Sequence, residues 1–361
     1  MSAPAREGES PLWIGPDARL REAMQCIDRN RRGAVLVVDP EGRLLDLLTD
    51  GDLRRAVLAG TDLELPVREL FRRREGGRYR APVVARAGSR PASQRRLLKR
   101  HGIRHLPLLD AEERVVDMVT LDELVPETDP VLEAVVMAGG RGQRLRPLTD
   151  GTPKPMLPVG GRPLLEHTLT RLRDAGVQTV HITTHYAAEK ITRHFGDGRG
   201  IGLELRYLNE ARPLGTAGSL RALARATQPF LVINGDILTN VDFRAMLVYH
   251  REQTAELTLA TRRHEVDIPY GVVECRGSRV ESLREKPRFC FFVNAGIYLV
   301  DPSALDVVPE DQAYQMTELI DALLARERRV ASFPILEYWL DIGRPPDYHQ
   351  AQRDYRDGRV E

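Results

Sequence analysis

Residues 135–160, VVMAGGRGQRLRPLTDGTPKPMLPVG, decide how the rest of this chain is read. The apolar run at 132–137 predicts a buried strand, which breaks at once into Gly139, Gly140 and Gly142. Glycine lets backbone N–H groups approach an anion with no Cβ in the way, and consecutive N–H groups in such a turn form an anion-binding concavity. Arg144, Arg146 and Lys154 follow, so three cations converge on whatever the glycines cradle. A dinucleotide-binding fingerprint is excluded, because Leu145 stands where its third glycine belongs. Pro147, Pro153, Pro155 and Pro158 also forbid the long helix that should follow it. No GK[ST] closes the run, which excludes a Walker A loop. A plain tight turn remains the alternative reading of the glycines.

The ordered run GGRGQRLRPLT followed by PKP resembles the signature of the sugar-nucleotide pyrophosphorylases, the nucleotidyltransferases that join a sugar 1-phosphate to a nucleoside triphosphate. Gln143 stands where many members carry Thr or Ser. The resemblance implies a nucleotide-binding loop of Ala138, Gly139, Gly140, Gly142, Arg144 and Lys154.

The chain, 361 residues with a net charge of +1, is long enough for two domains and exerts no long-range pull on nucleic acid or membrane. Neither partner is expected. The N-terminal MSAPAREGES lacks an apolar leader region and no run approaches the length of a membrane span, so a cytoplasmic location is expected. Cys26, Cys275 and Cys290 are odd in number and scattered, which argues for reduced thiols, each read as a packing residue. Only four of the 53 Lys and Arg residues are lysine, yet two of them, Lys154 and Lys286, sit beside proline. That suggests sites needing a compact ammonium where a guanidinium fork does not fit.

Residues 12–125 read as two copies of one unit, each a helix, a strand pair and a helix. AVLVVD and LLDLLT in the first copy answer to HLPLLD and VVDMVT in the second. LLTDGDLRR and IRHLPLLDAEERVVDMVTLDEL resemble paired cystathionine-β-synthase-type (CBS) modules. The resemblance implies an adenine-nucleotide effector held by Thr49 and Asp52, with Thr120 in the second copy, where Glu123 replaces the aspartate. Helix capping is the alternative for these residues. The arginine-dense residues 68–80 are expected to be a solvated loop, and PETDP at 126–130 an interdomain linker. The expected organisation is a tail at 1–11, a tandem CBS α+β domain at 12–126, a linker at 127–131 and a catalytic domain at 132–361.

From residue 132 strands and helices alternate: a helix near 164–175, TVHITT, a helix near 187–195, LELRYL, a helix at 218–226, then FLVIN. This rhythm predicts an α/β fold, a Rossmann-like doubly wound sheet with ligands at the carboxyl ends of its strands. The resemblance specifies the mixed sheet of the GT-A-like nucleotidyltransferases. FLVIN delivers Asp236, and YWLDIGRPP carries Asp341 among apolar neighbours that would desolvate it. The resemblance implies that these two acids bind Mg²⁺, with Mn²⁺ possible, and that Lys286 and Glu285 of the EKP motif hold the sugar phosphate and sugar hydroxyls. It further implies that Tyr270, Gly271 and Asn294 line the sugar pocket, and that Gly215, Thr216 and Ala217 lie against the nucleobase. No histidine receives a role.

The implied reaction gives the catalytic set as Arg144, Lys154, Asp236, Lys286 and Asp341. Nucleoside triphosphate and sugar 1-phosphate are the expected partners, in a homodimer or higher homo-oligomer. WLDIGRPPDY and NAGIY most resemble the mannose-1-phosphate guanylyltransferase branch, which implies GTP with mannose 1-phosphate or glucosamine 1-phosphate for bacterial surface sugars. UTP or dTTP is the alternative, and a non-catalytic nucleotide sensor is the reading from another class. With the sequence ending at Glu361, the hexapeptide-repeat acetyltransferase domain of bifunctional relatives is not expected.

Overall fold

A computed structural model describes residues 12–72, 81–124, 132–140, 142–209, 212 and 214–360. The chain divides into two compact units, Met1–Asp129 and Pro130–Glu361. The expected linker at 126–130 lies outside the described residues.

In the first unit the repeat is visible residue by residue. Ala34–Val38 pairs antiparallel with Leu44–Thr49, and His105–Leu109 pairs in the same way with Val115–Thr120. Both ladders shift register one step before the turn, at Val37/Val38 and at Leu108/Leu109. The two sheets share an apolar seam of Ala34, Leu36 and Met118, to which Leu44, Leu47 and Val115 add. Across it His105 Nε2 lies 2.9 Å from the Arg32 carbonyl oxygen. Of the stretch 68–80 expected to be loop, Arg68–Arg72 is helical because Leu70 packs into the first copy's core, and residues 73–80 lie outside the described residues.

The second unit is built on a seven-stranded mixed sheet in the order Glu204–Asn209, Thr179–Thr184, Glu133–Met137, Phe230–Asn234, Arg288–Val300, Leu257–Asp267, Val330–Ile335. The first four are mutually parallel, and Arg288–Val300 runs antiparallel to both of its neighbours. Alternating residues of the central strand face opposite layers. Ala134 and Val136 pack with Leu165, Leu169 and Met246 on one side, while Val135 packs with Leu220, Leu319 and Leu323 on the other. A sheet covered on both faces needs this near-continuous apolar run, as expected from 132–137. From Glu133–Met137 the chain steps outward through Thr179–Thr184 to Glu204–Asn209, then returns to Phe230–Asn234 on the opposite flank. The strand order therefore reverses at the carboxyl ends of Met137 and Asn234, where open α/β sheets bind ligands.

The helix expected at 218–226 is instead one α-turn, Gly215–Gly218, continued as a 3₁₀ turn, Ser219–Leu223. The Ala217 and Gly218 N–H groups both donate to the Tyr314 carbonyl, and a Cβ on Gly218 would lie 2.8 Å from the Gln312 oxygen. That docking holds the segment against Tyr314 and competes with a regular helix. Cys26 is buried as expected, but Cys275 and Cys290 are exposed. Both belong to ribbons whose two faces are largely open to solvent, so neither is a packing residue. Among the described residues, no helix is long and apolar enough to cross a membrane.

His250 joins the helix Phe243–Glu252 to the sheet through Nδ1, 2.8 Å from the Thr258 hydroxyl, and is 2% exposed. Burial pushes its pKa down to about 4. The unfolded chain therefore takes up a proton at a higher pH than the fold does. The stability this group supplies is complete above about pH 6.5 and is lost as pH falls toward 4, on the order of 3 kcal/mol in all. Urea midpoints measured from pH 7 to pH 4 should fall, and His250→Asn should flatten that fall. An equally steep fall in the variant would assign the dependence to other groups.

Candidate active site

The glycine loop starts where the central strand ends. Gly142 has φ +61, and a Cβ there would approach both Lys154 Cβ and Thr149 Cγ2 to 3.0 Å. The absent side chain is what lets Lys154 pack against the loop, which the Thr149 hydroxyl closes by donating to the Gly142 carbonyl at 2.9 Å. As the prolines imply, no long helix follows. Gln143–Leu145 and Lys154–Met156 are single 3₁₀ turns. The loop's far end is held by the C-terminal helix Pro345–Arg356, where Tyr348 Oη and Gln352 Nε2 each donate to the Pro158 carbonyl at 2.6 Å.

Asp236 comes from the neighbouring strand. Gly235 N–H donates to the Met137 carbonyl at 2.9 Å, and a Cβ on Gly235 would sit 2.7 Å from that same oxygen. The chain can turn here only because the residue is glycine. Ile237–Thr239 then pairs antiparallel with Trp339–Asp341, and Ile342 N–H donates to the Asp236 carbonyl at 3.0 Å. This two-stranded ladder sets Asp236 and Asp341 side by side from positions 105 residues apart in sequence.

Lys154 is buried at 8% exposure, and its Nζ pairs with Asp236 Oδ2 at 2.5 Å. Asp341 is more exposed than its apolar neighbours suggest, since Ile342 turns into the core while the carboxylate faces outward. Its pKa is nonetheless raised, first by the protein around it and then by the Asp236 charge, with Lys154 and Arg144 opposing the shift and Asp347 adding to it. Arg144, Lys154, Asp236 and Asp341 thus form one electrostatic cluster. Asp347, which the sequence reading did not single out, joins this cluster from the start of the helix Pro345–Arg356, where its Oδ2 accepts from the Arg344 N–H at 2.8 Å.

The remaining predicted residues divide. Glu285 and Lys286 are exposed on a projecting arm, where the Ile268 N–H donates to the Pro287 carbonyl at 3.1 Å. Lys286 has φ +44, a left-handed conformation that costs a β-carbon-bearing residue on the order of 1 kcal/mol. Tyr270 is 74% exposed, and Gly271 lies against Glu285, whose Oε2 would be 3.1 Å from a Cβ there. The Asn294 side chain is engaged with Tyr298 Oη and accepts from the Gly296 N–H. The adjoining Ala295 carbonyl accepts from Trp339 Nε1 at 2.9 Å, tying NAG to WLD. Thr216 is bound through N–H and Oγ1 to Gln315 Oε1, both at 3.3 Å, and Ala217 is fully buried. His185, given no role from sequence, borders the loop: its Cβ would lie 3.5 Å from a Cβ on Gly139. In the first unit Thr49 and Asp52 close a reciprocal capping box, with Thr49 N–H donating to Asp52 Oδ2 at 2.9 Å. Thr120 and Glu123 do the same.

A divalent cation suits the carboxylate pair. Asp236 Oδ1 is buried without a hydrogen-bond partner among the described residues, and two like charges held side by side call for a cation between them.

The M. tuberculosis mannose-1-phosphate guanylyltransferase is 35% identical over 230 residues, which cover 62% of this chain and 64% of that protein. This chain therefore spans less than two thirds of that relative's length. Among solved structures, HddC from Yersinia pseudotuberculosis complexed with GMP-PN is 26% identical with a TM-score of 0.50, covering 62% of this chain and 99% of that one. A putative glucose-1-phosphate thymidylyltransferase from Bacillus anthracis, 24% identical with a TM-score of 0.52, covers 63% of this chain and 96% of its own and supports the fold. The CBS domain family model matches residues 8–59, the region of the first repeat. The nucleotidyl transferase family model matches residues 133–358, a span that holds the glycine loop, both carboxylates and the arm, and the chain belongs to that family.

Proposed function

We propose that the chain is a sugar-1-phosphate nucleotidyltransferase that uses GTP with mannose 1-phosphate or glucosamine 1-phosphate and releases pyrophosphate. The observation that carries this reading is the convergence of Arg144, Lys154, Asp236 and Asp341 where the strand order reverses. The attacking sugar phosphate is already ionised near pH 7, so the protein needs no nucleophile or general base, and catalysis is positioning plus charge neutralisation. Backbone groups of the Gly139–Gly140 turn cradle the phosphate chain. Arg144 takes the β and γ phosphates, and Lys154, paired with Asp236 in the free chain, donates to the α-phosphate. Asp236 and Asp341 would hold Mg²⁺ or Mn²⁺, which supplies Lewis-acid neutralisation of the triphosphate. Lys286 grips the incoming phosphate as a compact ammonium, and Glu285 accepts from sugar hydroxyls. The preference for GTP is supported by the similarity to a mannose-1-phosphate guanylyltransferase and to HddC complexed with GMP-PN. Pyrophosphate release measured over four triphosphates and a panel of sugar 1-phosphates tests the reading. GTP should give the highest kcat/KM; no release from any pair would refute the enzyme assignment, and a UTP or dTTP preference would replace the base.

The repeat unit is proposed to be a tandem CBS domain, residues 12–126, that binds an adenine nucleotide through Thr49 and Asp52, with Thr120 in the second copy. The support is the matched register of its two strand pairs and the family match to the first copy. An effector changes rate only if it binds two states of the protein differently. Calorimetry of the full chain with AMP, ADP and ATP should give binding that Asp52→Ala weakens at least about tenfold, the loss of a hydrogen-bonded charge. Undiminished binding in the variant would leave Thr49 and Asp52 as caps alone.

A further inference from the structure

Behind the strand that carries Asp236 lies a small cavity with room for about one water molecule, lined by His167, Thr168, Arg171, Ile237, Thr239 and Val360 among others. Ile237, the residue after Asp236, forms part of its wall. Two lining residues on the helix Leu164–Asp174 carry polar atoms with no hydrogen-bond partner among the described residues, His167 Nδ1 and Thr168 Oγ1. Both residues are more than nine-tenths buried, at 3% and 5% exposure.

The chemistry of each atom is set by its surroundings. His167 Nε2 lies 2.9 Å from the Val159 carbonyl oxygen, which can only accept, so Nε2 carries the proton. Nδ1 of the neutral ring is then a bare acceptor. Burial also lowers the His167 pKa, which favours that neutral form. The Thr168 hydroxyl both donates and accepts. A buried polar group left unmatched is costly, so these two atoms of the cavity lining call for a partner that donates to one and pairs with the other. Water meets that requirement, and buried waters characteristically bridge such groups.

We propose that this cavity is a built site for one ordered water, which donates to His167 Nδ1 and hydrogen-bonds Thr168 Oγ1. Through Ile237 the hydrated cavity backs the segment that presents Asp236, and through His167 it adjoins Val159 at the end of the glycine loop. His167 and Thr168 are positioning residues and touch no substrate.

A crystal structure of the full chain at a resolution that shows ordered water is the direct test. Density is expected within hydrogen-bonding distance of both atoms. Thr168→Val, which keeps the shape and removes the hydroxyl, should lose that density and lower Tm by about 2–4 °C. Thr168→Ser should retain the water and recover most of the Tm. A dry cavity in the wild type, with Thr168 Oγ1 turned to the carbonyl one helical turn back, would overturn the proposal. So would density at the site that persists unchanged in Thr168→Val.

Discussion

Asp236→Asn and Asp341→Asn should each lower kcat by about a hundredfold or more, since each removes a charge from the site proposed for the divalent cation. Their effects on stability should differ in sign. Asp236 neutralises the buried Lys154 at 2.5 Å, and its replacement leaves an ammonium at 8% exposure without its carboxylate, so Tm should fall. Asp341 is held above its ordinary pKa by its surroundings and by Asp236, so its ionised form is disfavoured in the fold, and removing that charge should leave Tm unchanged or raise it. Near-wild-type turnover in either variant would remove that residue from the metal site, and a matching loss of Tm in both would refute the electrostatic account of the pair.

Gly235→Ala should be nearly as damaging to activity without touching a charged group. Its Cβ would lie 2.7 Å from the Met137 carbonyl oxygen and 3.4 Å from Ala138 Cα, both backbone atoms of the adjoining strand and loop. Backbone cannot swing aside as a side chain can, so the strand ends must separate and Asp236 must shift relative to Lys154. A displacement on the order of 1 Å at a positioned group costs about a hundredfold in rate, and overpacking of this kind costs about 1–3 kcal/mol of stability. Turnover and urea midpoints together check it. Both should fall, with the turnover loss persisting at temperatures where the variant is fully folded. A folded variant with unimpaired turnover would show that the close approach of Gly235 to Met137 does not position the carboxylate.

Much of this was legible in the linear chain. The apolar run into three glycines and the prolines after it determined a strand followed by an open loop, because those residue types restrict φ locally and need no distant partner. The strands Leu44–Thr49, Val115–Thr120, Thr179–Thr184 and Phe230–Asn234 all lie where the sequence pattern placed them. Where a distant segment competes for the backbone, local reading fails. A helix is expected to run from Gly218 to Ala226, yet Tyr314, about a hundred residues away, takes the Ala217 and Gly218 N–H groups and the segment turns as Gly215–Gly218 and a 3₁₀ turn instead. Cys275 and Cys290 read as core, yet their ribbons have no layer packed over them. Motif order named Asp236 and Asp341 as a pair, but only the antiparallel ladder between Ile237–Thr239 and Trp339–Asp341 sets them side by side. The ion pair between Lys154 and Asp236, the addition of Asp347 to the cluster and the polar cavity behind Ile237 were likewise decided by tertiary structure. Charge interactions and burial depend on distances between chain segments, and those are set by how the sheet closes its order, which no local pattern of residues contains.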